Sequence, residues 1–140
     1  MNRRHFIKTT LTGSAVGFVA PGLVKADTAE LEGSVYYTRN KPGRWARKLE
    51  GHLPRIEIEK TEGAVKVKVT TAHEMKGYEH YIIKHVLLDE NYGFVDEKLF
   101  DPNRDALPVS EFTLKDSATR KVYVLSLCNL HDLWLNSADI

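Results

Sequence analysis

Five histidines and a single cysteine lie in the last 89 residues of this 140-residue chain: His52, His73, His80, His85, Cys128 and His131. Cys128 and His131 are separated by Asn129-Leu130, a spacing that lets a thiolate and an imidazole reach the same cation. Thiolate together with neutral imidazole selects transition metals over calcium or magnesium, which prefer oxygen ligands. His52 closes a glycine-containing stretch, and His73 and His80 flank one short connecting segment, Glu74 to Glu79. Each fragment is weak alone; four histidines at predicted segment ends plus the only cysteine form a more specific set. His85 is different, because it sits inside the apolar run Ile82 to Leu88. There a buried imidazole with hydrogen-bond partners is the expectation, since buried polar groups are almost always paired.

The elements that must position these side chains read as strands. Arg55 to Lys60 and Val65 to Val69 alternate apolar and charged residues, with Glu62-Gly63 as the turn between them,. Tyr81 to Leu88 is longer and more apolar, as for a strand buried on both faces. Phe94 to Phe100, Val109 to Leu114 and Lys121 to Leu127 are three more, separated by Asp101-Pro102-Asn103 and Lys115-Asp116-Ser117,. Ser34 to Thr38 is the candidate seventh. No stretch sustains a 3.6-residue period, and Asn40 to Gly51, with Pro42, Gly43 and Gly51, reads as a basic loop. Six or seven short strands of this kind predict an all-β, antiparallel β-sandwich. If the strands before His73 and after His80 pair as a hairpin, their imidazoles meet at one end of a sheet.

Residues 1–26 read as an export signal. Arg3-Arg4-His5-Phe6-Ile7-Lys8 is similar to the twin-arginine pattern, Thr9 to Val19 is a short apolar stretch, and Val24-Lys25-Ala26 offers a cleavage site before Asp27,. That apolar stretch is far shorter than the ~20 residues a membrane span needs, so no stable membrane insertion is expected after cleavage. The remaining domain, 27–140, holds 16 of the 20 basic residues against 19 acidic ones, a net charge of −3. A mildly acidic domain is poorly suited to holding nucleic acid by its phosphates. A lone cysteine in an exported chain makes no internal disulfide and is left for metal, a partner thiol or plain burial.

Glu50-Gly51-His52-Leu53-Pro54, the segment from His73 to Glu79-His80-Tyr81-Ile82, and Cys128-Asn129-Leu130-His131 resemble the iron-site motifs of superoxide reductases, in the one-iron neelaredoxin type and the iron domain of desulfoferrodoxin. The resemblance runs from about Lys48 to Trp134. It implies an immunoglobulin-like sandwich carrying one mononuclear iron, with His52, His73, His80 and His131 as equatorial ligands and Cys128 as the axial thiolate. It further implies reduction of superoxide to hydrogen peroxide, an external electron donor, homo-oligomer formation, and Glu50 as the carboxylate that takes the open position after oxidation. The chain departs from the pattern at three places. Gly51 stands where the family has lysine, Glu74 where it has proline, and the His73–His80 spacing is one residue longer, with Gly77 as the expected point of insertion. Lys48 and Lys76 are the candidates to replace the missing cation. Two other readings stay open from the residues: a cupredoxin-like electron carrier, which lacks a methionine beyond His131, and a non-catalytic or sulfur-handling relative with Cys128 as a reactive thiol.

Overall fold

The computed structural model describes residues 31–115 and 118–140; the proposed signal at 1–26, the domain start at Asp27 and the Asp116-Ser117 turn lie outside them. Seven strands form two antiparallel sheets. β1 (Arg55–Thr61), β2 (Ala64–Thr70) and β5 (Val109–Lys115) pair in the order β1-β2-β5. β3 (Ile82–Leu88), β4 (Phe94–Leu99), β6 (Lys121–Cys128) and β7 (Asp132–Asp139) pair as β4-β3-β6-β7. This is the three-plus-four arrangement of an immunoglobulin-like sandwich, with the fourth strand moved to the edge beside the third.

The alternation seen in the sequence is what closes the two layers. Val67 and Val69 of β2, Phe112 and Leu114 of β5, Leu87 of β3 and Val122 and Val124 of β6 meet as one buried cluster. The intervening Lys66, Lys68, Glu111 and Thr113 face solvent. A one-residue slip in any of these strands would exchange the two sets, so the register is strongly specified.

Three expectations from the sequence are corrected. The Ser34–Thr38 strand does not form; the segment makes only isolated bridges, Tyr36 with Glu32 and Tyr37 with Trp134, in the second of which the Tyr37 N–H donates to the Leu133 carbonyl and the Leu135 N–H to the Tyr37 carbonyl. The seventh strand is β7 instead. Its polar Asn136, Ser137 and Asp139 mask the alternation, because β7 lies at the sheet edge. The 40–51 stretch is not a plain loop: a 3-10 helix spans Gly43–Lys48 and a single turn, α1, spans Leu49–His52. Finally, β2 and β3 are not a hairpin but belong to opposite sheets. The 71–81 connection therefore crosses the end of the sandwich, and this crossing brings His73 and His80 together.

His85 is fully buried and paired as anticipated. Its Nδ1 lies 2.7 Å from Ser110 Oγ on the opposing sheet, and its Nε2 lies 2.8 Å from Thr71 Oγ1, which also meets Ser126 Oγ at 2.9 Å. The network ties both sheets together one step beneath the loop that carries His73. Burial, followed by the nearby Lys98 charge, lowers the His85 pKa to about 3. Because the unfolded chain takes up this proton first, stability falls as pH drops from about 6.5 toward 3, by on the order of 5 kcal/mol at most. Urea midpoints at pH 7 and pH 4 should therefore diverge less in His85→Gln than in the parent; equal divergence would refute this account.

Candidate metal centre

Three pieces of chain converge at one end of the sandwich. α1 delivers His52, the 71–81 connection delivers His73 and His80, and the turn between β6 and β7 delivers Cys128 and His131. The ligand atoms of these five residues all lie within 4.8 Å of one another. His85 and Glu50 are not among them. Glu50 is exposed on α1 and lines a cleft with Arg39, Leu53, Arg55 and Ala72.

Local chemistry explains how each side chain is held. The His52 Nδ1–H donates to the Lys48 carbonyl at 2.8 Å, which fixes the ring and aims Nε2 at the cluster. The Asn129 side chain locks two of the three pieces together. Its Oδ1 accepts from the Tyr81 N–H at 3.0 Å, and its Nδ2 donates to the Glu79 and Tyr78 carbonyls at 3.0 and 3.3 Å. The Cys128–His131 turn is thus stapled to the residues flanking His80. Asp132, in the left-handed region at φ 63°, closes the turn. Trp134 then donates its Nε1–H to the His131 carbonyl at 2.9 Å and packs with Tyr37 and Leu53 beneath His52. The sequence placed Asn129 in a motif without assigning it a role. A side-chain amide beside a ligand cysteine in a turn is the signal that marks such a clamp.

Three of the nitrogen–nitrogen separations are short: His52 Nε2 lies 3.1 Å from His131 Nδ1, His131 Nδ1 lies 3.1 Å from His80 Nε2, and His80 Nε2 lies 3.0 Å from His73 Nε2. Donors about 3 Å apart suit one shared ion at the ~2.0–2.1 Å of metal–imidazole bonds. Cys128 Sγ lies 3.8 Å from His73 Nε2 and 3.6 Å from His131 Nδ1. Four imidazole nitrogens and one sulfur, all within 4.8 Å of one another, fit a transition metal,.

Electrostatics point the same way. Burial lowers the pKa of all four imidazoles, to about 4 for His52, so they are neutral and ready to donate lone pairs near pH 7. His73 Nδ1 is buried without a hydrogen bond. Burial raises the Cys128 thiol above its usual range, against the opposing pull of the Leu130 and His131 backbone N–H groups. A cation is what reverses that balance and yields thiolate. His52, His73 and Cys128 are buried while His80 is partly exposed, so sulfur and its neighbours Ile82 and Phe100 form the floor.

The departures at the rim have structural explanations. A Cβ on Gly51 would sit 3.4 Å from the Ala72 carbonyl oxygen, an ordinary contact, so nothing steric demands glycine there. Gly77 adopts φ +54° with open space around it, a conformation that favours glycine,. Lys76 is neutralised by Glu74 at 2.7 Å. Lys48 has no ion-pair partner among the described residues, and its charge acts on His80, Cys128 and His131.

An all-β sandwich with four imidazoles and one thiolate converging at its end defines a mononuclear, non-haem metal protein. The family model for desulfoferrodoxin matches residues 44–137. Superoxide reductase from Pyrococcus furiosus is 34% identical over 119 residues, covering 71% of this chain and 94% of the relative; the Pyrococcus abyssi protein is 36% identical over 110 residues at the same coverage. Among solved structures, superoxide reductase (neelaredoxin) from Ignicoccus hospitalis superposes with a TM-score of 0.64 at 28% identity, covering 77% of this chain and 95% of that one. The chain belongs to the desulfoferrodoxin family.

Cys128→Ser should keep the fold but lose the thiolate-to-metal absorption of the oxidised, iron-loaded protein. Alkylation of Cys128 should be slow with metal bound and fast after chelation. An unchanged spectrum, or equal alkylation in both states, would remove Cys128 from the ligand set.

Proposed function

We propose that this protein reduces superoxide by one electron to hydrogen peroxide at a single iron held by His52, His73, His80, His131 and Cys128. The observation that carries this reading is the convergence of four neutral imidazoles and one buried sulfur within 4.8 Å of one another. Bound there, iron supplies the single electron and an open position for the anion. The chain supplies the rest. Leu130 and His131 backbone N–H groups orient and stabilise the sulfur as thiolate, and the apolar floor of Ile82 and Phe100 keeps water from it. Lys48 draws the anionic substrate toward the exposed side, and a positive rim raises capture of a charged substrate by roughly 10–10³-fold. Two protons from solvent complete the product, and an external donor returns the electron. Glu50, exposed on α1, would be the nearby carboxylate that the family resemblance assigns to the oxidised state.

Stopped-flow mixing of the ferrous protein with superoxide tests the reading. Oxidation should be second order, should slow with added salt, and should slow roughly 3–10-fold in Lys48→Met with metal content unchanged. No oxidation of the ferrous protein by superoxide would sink it.

Export by the twin-arginine route to the periplasm or cell exterior is part of the same proposal, supported by Arg3-Arg4, the short apolar stretch and the Ala26–Asp27 junction. Among the described residues no helix is long and apolar enough to cross a membrane. Homo-oligomer formation is supported by the edge strand β4, which exposes Phe94 and Leu99. Fractionation of producing cells, then sedimentation of the recovered protein, should give an exported chain starting at Asp27 with a mass above that of one chain. A cytoplasmic monomer with an intact N-terminus would contradict both.

A further inference from the structure

Between Arg39 and Lys48 half of the residues are cationic (Arg39, Lys41, Arg44, Arg47 and Lys48) and none is acidic, in a domain whose net charge is negative. All five are exposed. Asp132 neutralises one of them, Arg44, through an ion pair. In the middle of this collar stands Trp45. Its Nε1–H donates to Asp132 at 2.8 Å, the Arg44 guanidinium lies over its ring at 4.7 Å, and the ring meets the His131 imidazole edge-on with centroids 4.7 Å apart. Trp45 is only half-buried, so one indole spans the distance from a ligand imidazole to the surface. Its neighbour Asp132 holds it there by a charge-assisted hydrogen bond, and the carboxylate is itself kept ionised by that indole and by Arg44,.

We propose that the Arg39–Lys48 collar is the docking face for an acidic electron-donor protein, with Trp45 as the ring that links this face to His131. The inference rests on the superoxide-reductase reading for the direction of electron flow. The donor loses one electron, the oxidised metal gains it, and no bond is made or broken. The described residues hold one metal-ligating cluster and one cysteine, and no second such cluster among them that could relay the electron. A macromolecular donor fits better than small-anion steering as the use of the whole collar. Arg39 and Lys41 extend the charge beyond Lys48, the cation whose field acts on the ligands, and rim charges of this kind set encounter rate and orientation between proteins.

The probe is a reduced, acidic plant-type [2Fe–2S] ferredoxin, whose potential of about −400 mV is ample for the transfer. Calorimetric titration with the full chain should show binding at 10 mM salt that fades at 100 mM, as the screening length falls from about 30 to about 10 Å. Arg39→Glu with Arg47→Glu should weaken that binding by about tenfold or more. Lys60→Glu with Lys115→Glu, at the far end of β1 and β5, should not. Trp45→Leu should slow electron transfer at saturating ferredoxin, read as bleaching or recovery of the ferredoxin chromophore. Binding insensitive to the collar charges, or saturated transfer unaffected by Trp45→Leu, would overturn the proposal. Collar-dependent binding by a protein that superoxide does not oxidise would leave the docking face standing and remove the reductase reading. Superoxide oxidation without collar-dependent binding would do the reverse.

Discussion

The structure is organised around a group of donors that cannot comfortably face one another without a cation. Four imidazole nitrogens and a thiol sulfur are packed within a few ångströms, and three of the five residues are buried. Neutral imidazoles whose lone pairs converge on one another have more acceptors than protons to share. Burying polar atoms in this way costs free energy unless something satisfies them. A divalent metal does so at once: it accepts all five lone pairs and turns the buried thiol into thiolate. The cluster is therefore both a chemical site and a reason for the three converging segments to stay where they are.

The rest of the fold can be understood as support for that convergence. A sandwich closes its apolar layer along most of its length and leaves its ends to loops, where irregular backbone can meet. Here the crossing connection passes over the end just above the His85–Thr71–Ser126–Ser110 network, so its root is anchored to both sheets. The Asn129 amide spans from the β6–β7 turn to the carbonyls flanking His80. Trp134, Tyr37 and Leu53 form a small separate core under His52. Precise ligand placement comes from these short-range polar clamps, while the main apolar core supplies the rigidity they work against.

Charge is distributed unevenly enough to matter more than its sum. The domain is mildly acidic overall, yet the segment that leads into α1 is wholly basic where it is charged. Lys48, three residues before Gly51, brings its charge onto His80 and His131. Position in space rather than position in the motif decides where a field acts, because Coulomb interaction falls with distance and not with sequence separation.

By itself the sequence determined the strands with clean alternation, the turn chemistry between them, the ligand types and the exclusion of His85 from the cluster. These follow from local physics: a period of two, left-handed turn glycines, and the rule that an imidazole in an apolar run needs partners. Other features were decided only by tertiary structure. β7 escaped notice because, at the sheet edge, most of its residues are only partly buried and its polar positions hide the pattern. The 43–52 helical turns formed against the Trp134 cluster, and packing outweighed local glycine and proline. Whether His73 and His80 met through a hairpin or a sheet-to-sheet crossing was settled by which strands paired, a non-local choice. So too was the distance of Trp45 from His131, since 86 residues separate them in the chain and only the closed sandwich brings their rings into contact.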